Sequence, residues 1–212
     1  MRLYNFDSSS NPLKVRLALA ELRVEYEKVN VNLFQGEQKA EFFRKVTPVG
    51  QVPVLQDGNL TLRESNAILA YLGKEYGKGL WPTGPAQESL ALQWLFFESC
   101  ELNGPCGRIW WADIVAPAIG RPLPAPERVT EAIENLNKPL GLLEEHFSRQ
   151  PFVLGSDFSL VDCSLGVVLN MLRGTRGDQR TTWPNVTEYR ERVRTRPSWT
   201  EANGESIHNI RR

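Results

Sequence analysis

Every strand signal in this chain falls within its first 62 residues, and that asymmetry limits the fold more than any other feature. Leu3 to Phe6 is a short apolar run that suits a buried strand. From Lys28 to Leu33, the apolar Val29, Val31 and Leu33 alternate with Lys28, Asn30 and Asn32, which is the period of a strand. Val52-Pro53-Val54-Leu55 and Leu60-Thr61-Leu62 flank Asp57-Gly58, a hairpin signal. Between the first two strands, Ser8-Ser9-Ser10-Asn11-Pro12 leads into a helical pattern through Leu13, Leu17 and Ala20. Ser10 or Asn11 suits its N-cap and Pro12 its first helical position. Strand, helix and strand in this order predict a right-handed parallel unit. Ala40 to Val46 reads as a short helix stopped by Thr47-Pro48, and Glu64-Ser65-Asn66 opens another over Ala67 to Tyr76. Pro53 has no N–H for a ladder, so it reads as a fixed bend, with a cis peptide among the ways to make one. The sum is an α/β domain: a small mixed sheet with helices on its faces.

Gly77-Lys78-Gly79 and Pro82-Thr83-Gly84-Pro85 then form the clearest linker, dividing the chain into residues 1–77, a linker over 78–86, and an all-helical domain over 87–212. In the second domain, Leu90 to Leu102 reads as a helix, with a break at Asn103-Gly104-Pro105 before Ile109 to Ala116. A proline-rich loop covers Pro117 to Pro126. Val129, Ile133, Leu136, Leu140, Leu143 and Phe147 mark one face of a long helix that Pro139 should kink rather than end. Ser159-Leu160-Val161-Asp162 resembles a capping box, and two further helices are expected over Val161–Leu172 and Val186–Arg196.

Charge narrows the partners. The 25 basic residues are balanced by 25 acidic ones, which argues against a nucleic-acid surface. The N-terminus lacks an export signal, no run reaches membrane-spanning length, and three cysteines suggest reduced thiols, so a cytoplasmic protein is expected. Only His146 and His208 are present, neither at ligand spacing from a Cys or carboxylate, so no metal site is expected. Cys100, Cys106 and Cys163 read as buried packing residues.

Three features of the first domain suit one small anionic ligand. They are the hydroxyl-rich turn Ser8-Ser9-Ser10 before a helix, the backbone exposed by a bend at Val52-Pro53, and Glu64-Ser65 at a helix start whose free N–H groups favour a carboxylate. A serine before a helix is commonly no more than a cap, and Glu64 alone no more than a solvated charge. Their order and spacing carry the argument further. Ser8 to Leu19 resembles the active-site turn of soluble glutathione S-transferases, Thr47 to Gly58 that family's proline loop and hairpin, Leu62 to Leu72 its glutamate-serine helix start, and Phe152 to Asp162 its capping box.

That resemblance implies a thioredoxin-like N-terminal domain followed by an all-helical one, with glutathione as co-substrate and no metal. It implies a detoxifying transferase acting on a small electrophile, and a homodimer. Ser9 falls where serine-type members, such as the phi-like and zeta-like groups, keep the hydroxyl that donates to the glutathione sulfur. Ser10 and Asn11 are rival donors. Val52, with Pro53 cis, would meet the cysteinyl backbone, Glu64 and Ser65 the γ-glutamyl group, and Gln38, Lys39 and Gln51 the glycyl end. Arg108, Trp110 and Trp111 are candidates for the electrophile wall, or equally for packing of the helical core. Asn11 stands where zeta-like and beta-like members carry cysteine, which disfavours their isomerase and mixed-disulfide chemistry. It also resembles the nu-like Thr-x-Asn turn, which implies the alternative of a glutathione-dependent disulfide or peroxide reductase. A non-catalytic binding module is the remaining alternative.

The physics suits a sulfur-activating role. Ser9 has no nearby histidine to deprotonate it, so it is a poor nucleophile but an adequate hydrogen-bond donor. Lowering a thiol pKa of about 8.5 by two units takes roughly 2.7 kcal/mol. A hydrogen bond to a charged group supplies about 1.5–3 kcal/mol, and a helix N-terminus ~0.3–1 kcal/mol. One hydroxyl and one helix end suffice.

Overall fold

The computed structural model describes residues 1–77 and 79–210. Lys78, at the start of the expected linker, and residues 211–212, at the end of the expected second domain, lie outside them. The first strand, β1 (Arg2–Asn5), pairs in parallel with β2 (Glu27–Asn30), with Arg2 opposite Glu27. On its other side it pairs antiparallel with β3 (Val54–Asp57), which pairs antiparallel with β4 (Leu60–Leu62), giving the order β2-β1-β3-β4. The β3–β4 loop is Gly58-Asn59, one position later than the Asp-Gly pattern suggests, and Gly58 takes the positive φ of +55° that its first position requires. The second strand stops at Asn30, three residues short of the alternating pattern. The side chain of Asn32 accepts hydrogen bonds from the backbone N–H groups of Phe34 (3.0 Å) and Gln35 (3.2 Å), and this local turn starts a 3-10 segment over Leu33–Gln35.

The crossover helix α1 (Ser10–Leu22) starts one residue earlier than a Ser10 cap and two earlier than an Asn11 cap would give: Ser9 is its N-cap, and Pro12 is its third residue. Its missing N–H costs nothing there, because the first helical bond is donated by Leu13, to the Ser9 carbonyl at 3.2 Å. Ten of its 13 residues are buried, so α1 has no polar face and is enclosed between the sheet and the second domain. The short helix α2 (Glu41–Val46) covers the opposite sheet face, where Phe43 packs with Tyr4, Val31, Val52 and Val54. Helix α3 (Ser65–Tyr76) lies beside α1.

Beyond β4 the described residues form no further strand, only an isolated bridge between Phe152 and Gly155. The expected break at Asn103-Gly104-Pro105 is absent. Helix α4 (Pro85–Phe97) passes through a π-helical turn (Glu98–Leu102) into α5 (Asn103–Trp110), then through a second π turn (Trp111–Val115) into α6 (Ala116–Ile119). The Asn103 N–H donates to the Glu98 carbonyl five residues back. This widened turn lets Pro105 sit in a helical path that an unmodified ladder would kink. Helix α7 (Pro126–Phe147) runs through Pro139 without ending. Helix α8 (Leu160–Asn170) is buried at every position, α9 (Pro184–Arg194) packs behind it, and α10 (Pro197–Glu201) packs against α1.

The start of α8 bears the capping box. The carboxylate of Asp162 accepts from the Ser159 N–H (2.8 Å) and hydroxyl (2.8 Å), and also from the Val153 N–H (2.9 Å) and the Tyr189 hydroxyl (3.1 Å). One core cluster then joins the two halves, from Leu3, Leu17 and Leu69 to Leu160, Val168 and Val193.

Candidate active site

A cavity of about 890 Å³ opens between the two halves of the chain. Its first wall is made by Asn11 of α1, Gln38, the loop Val49 to Pro53, and the start of α3 from Arg63 to Ala67. Its second is one face of the long helical path: Leu92, Leu95, Phe96, Ser99 and Asn103.

Each part of the first wall has a local cause. The Val52–Pro53 peptide is cis, both residues line the cavity, and β3 begins just after them at Val54. Gly50 holds a φ of +66°, and a Cβ there would lie 2.7 Å from the Gln38 carbonyl oxygen, so only glycine lets this loop close on Gln38. The side-chain oxygen of Gln38 is buried and lacks a hydrogen-bond partner among the described residues. At the start of α3, Glu64 is the N-cap with φ +63° and ψ +114°, a strained conformation for a residue with a Cβ. Glu64 is exposed and Ser65, the first helical residue, is buried beside unpaired helix N–H groups. Such an end, with a carboxylate at its mouth, suits the amine and carboxylate of an amino acid.

The turn before α1 presents its residues unequally. Asn11 lines the cavity, and its side-chain oxygen accepts a hydrogen bond from the Asn103 amide across the gap (3.3 Å). Ser9 is half-buried and makes no side-chain cap bond. Ser10 is buried, and neither lines this cavity. A polar cluster lies underneath. The ammonium of Lys14, wholly buried, pairs with the wholly buried Glu98 carboxylate at 2.8 Å. The other Glu98 oxygen accepts from the Asn66 amide (2.7 Å) and the Ser164 hydroxyl (3.0 Å), and Ser164 also donates to the Asn66 oxygen (2.7 Å). Burial pushes the Lys14 pKa down, and the facing carboxylate of Glu98 opposes it.

Of the residues singled out in the sequence, the fold gathers Asn11, Gln38, Gln51, Val52, Pro53, Glu64 and Ser65 around one cavity. Lys39 stands exposed at the end of a 3-10 turn next to Gln38. Arg108, Trp110 and Trp111 are not brought there. The cavity face of the helical path ends at Asn103, and Trp110 lies about 10 Å further along, at ~1.5 Å per residue. Its indole N–H donates to the Ile207 carbonyl (2.8 Å), Arg108 faces Glu131 (3.8 Å), and Trp111 is 40% exposed. Cys106 and Cys163 are buried, with thiol pKa values raised by burial, whereas Cys100 is exposed, contrary to expectation. Lys14, Glu98, Asn66, Ser164 and Asn103 escaped the sequence reading. The one available signal was the absence of a polar face in Ser10–Leu22, which forces Lys14 indoors.

A four-stranded sheet with a cis-proline loop, an open helix end and a polar turn around one cleft defines a thioredoxin-like domain, backed by a helical domain. Comparison with known proteins agrees. The glutathione S-transferase N-terminal domain family matches residues 1–74, and the C-terminal domain family matches residues 126–192. Glutathione S-transferase F13 of Arabidopsis thaliana is 34% identical over 166 residues, covering 76% of this chain and 75% of that one. The crystal structure of glutathione transferase F2 from Populus trichocarpa superposes with a TM-score of 0.88 at 26% identity, over 97% of this chain and 98% of that one. The theta-class enzyme of Xanthomonas axonopodis pv. citri, solved with glutathione bound, gives 0.85 at 27% identity over 95% of each chain. The chain belongs to the glutathione S-transferase family and is a transferase enzyme. Among the described residues, no helix is long and apolar enough to cross a membrane.

Proposed function

We propose that glutathione lies along the first wall and that its thiolate attacks an electrophilic co-substrate entering from the second. The γ-glutamyl group sits at Glu64 and Ser65, the cysteinyl backbone at Val52 beside Pro53, and the glycyl carboxylate toward Gln38, Lys39 and Gln51. The thiol lies at the turn Ser9–Asn11. The observation that carries this reading is the convergence of the α3 N-terminus, the cis-proline loop and the α1 turn on one cavity of about 890 Å³. The domain boundaries we favour are 1–77 and 87–212 around a linker over 78–86. The reading includes a cytoplasmic homodimer. Val49, Leu92 and Phe96 at the cavity rim are 49%, 39% and 66% exposed, an apolar border that a second copy would cover.

Ser9 is the first candidate donor to the sulfur, by its resemblance to the serine-type turn. Asn11 has an observation of its own, since it is the member of the turn that lines the cavity. An asparagine-centred turn also favours the second reading, reduction of small disulfides with glutathione. Calorimetric titration with reduced and oxidised glutathione separates these. The transferase reading expects reduced glutathione to bind, Glu64→Ala to abolish binding, and Ser9→Ala or Asn11→Ala to spare binding while losing the ultraviolet band of the bound thiolate. Much tighter binding of the oxidised form, with turnover of a small disulfide, moves the assignment to a reductase. Failure of both forms to bind at millimolar concentration (about 4 kcal/mol of affinity) removes the site assignment.

A further inference from the structure

The turn at Asn11 is tied to the second wall at two points. Lys14, one helical turn after Asn11, reaches Glu98, and Asn11 itself reaches Asn103. Glu98 and Asn103 are five residues apart. In a continuous α-helix they would point about 140° away from each other, and α1 would not meet both. The π-helical turn Glu98–Leu102, closed by the bond from the Asn103 N–H to the Glu98 carbonyl, brings them onto one side. The buried Lys14–Glu98 pair then fixes the register of α1 against this side.

Which end of the Asn11 amide faces the cavity decides its effect on a sulfur anion. The oxygen repels a thiolate and the N–H2 group stabilises it. Asn103 donates to the oxygen. We propose that Asn103, presented by the π turn, is a positioning residue. It occupies the Asn11 side-chain oxygen and so turns the Asn11 N–H2 group toward the glutathione sulfur. This rests on the reading above in which the thiol sits at the α1 turn with Asn11 as a donor. Asn103 itself acts on the sulfur only through Asn11.

The test is a double-mutant cycle on glutathione bound to the full-length protein. It reads the pH midpoint of the thiolate's ultraviolet band and, by calorimetry, the glutathione Kd. Asn11→Ala is expected to raise the midpoint by about one pH unit or more. Asn103→Ala is expected to raise it by about half a unit or more, with Kd within about twofold, because the amino-acid contacts at Glu64 and Ser65 are untouched. In the Asn11→Ala background, Asn103→Ala is expected to add nothing. The near-isosteric Asn103→Asp guards against a packing defect: it can only accept, so it draws the Asn11 N–H2 away. Its shift is expected to exceed that of Asn103→Ala and to shrink when Asn11 is alanine. Independent, additive shifts overturn the role of Asn103 while leaving Asn11 as donor. So does a loss of affinity without a change of midpoint. An Asn11→Ala protein with an unchanged midpoint overturns the donor reading and the inference with it.

Discussion

Glu64 shows how little of a residue's task its type reveals. Its place before Ser65 was legible from the helix-start pattern, but its φ of +63° was not, since no sequence rule places a glutamate there. Backbone strain of this kind costs about 1–3 kcal/mol and persists where the surroundings impose it. Glu64→Gly is therefore expected to raise stability by about 1 kcal/mol in urea unfolding, since glycine adopts this φ freely. Calorimetry on the same variant is expected to show glutathione affinity lowered by at least about tenfold, through loss of the carboxylate. A variant that is less stable refutes the strain argument, and one that binds equally tightly refutes the contact of the carboxylate with glutathione. Asn11 and Ser9 reverse the case. The family pattern singled out both, but only the three-dimensional path of α1 shows that Asn11 reaches the cavity wall.

At the scale of elements, strands and helices were legible where periodicity or caps dominated, as in β3–β4 and at the Ser159–Asp162 box. Two errors have one physical source: side chains and prolines that change hydrogen bonding locally. Asn32 diverts the end of β2 into a turn. Pro105, which suggests a break, is absorbed by a π turn that keeps α4 and α5 in one path. The same turn places Glu98 opposite Lys14, a pairing between residues 84 apart that no local pattern reports. Removing one member of such a buried pair leaves an uncompensated charge and costs about 3–5 kcal/mol. Lys14→Met and Glu98→Leu are each expected to destabilise on that scale. The double variant is expected to lose less than the sum of the two, by at least about 1 kcal/mol. Equal additivity in urea unfolding rules out the pair as a coupled unit.

For the whole molecule, the histidines and carboxylates set the response to acid. Burial lowers the pKa of His146 and His208 below the ordinary 6.5, so the unfolded chain takes up protons before the folded one does. Stability therefore falls as pH drops through about 6.5. It falls again near the ordinary carboxylate range. There Glu21, Asp178 and Glu205 must be protonated; against burial, Arg196 holds the pKa of Glu21 down, the Gly174 N–H and Arg190 that of Asp178, and the Trp199 indole and Arg173 that of Glu205. Asp162, pushed up by burial, works in the opposite sense. The urea midpoint is expected to be lower at about pH 5.5 than at about pH 7.5, and His146→Gln with His208→Gln is expected to flatten that interval. An undiminished decline in the double variant assigns it to other groups.

Because ten of the 13 residues of α1 are buried, most of its amide hydrogens are expected to exchange with solvent only through large openings of the chain. The half-exposed stretch from Leu33 to Val46 has no such protection. In the function proposed above, the turn that meets the sulfur stands at the end of a slowly exchanging helix, while the stretch from Leu33 to Val46 is expected to be the first part of the site to open.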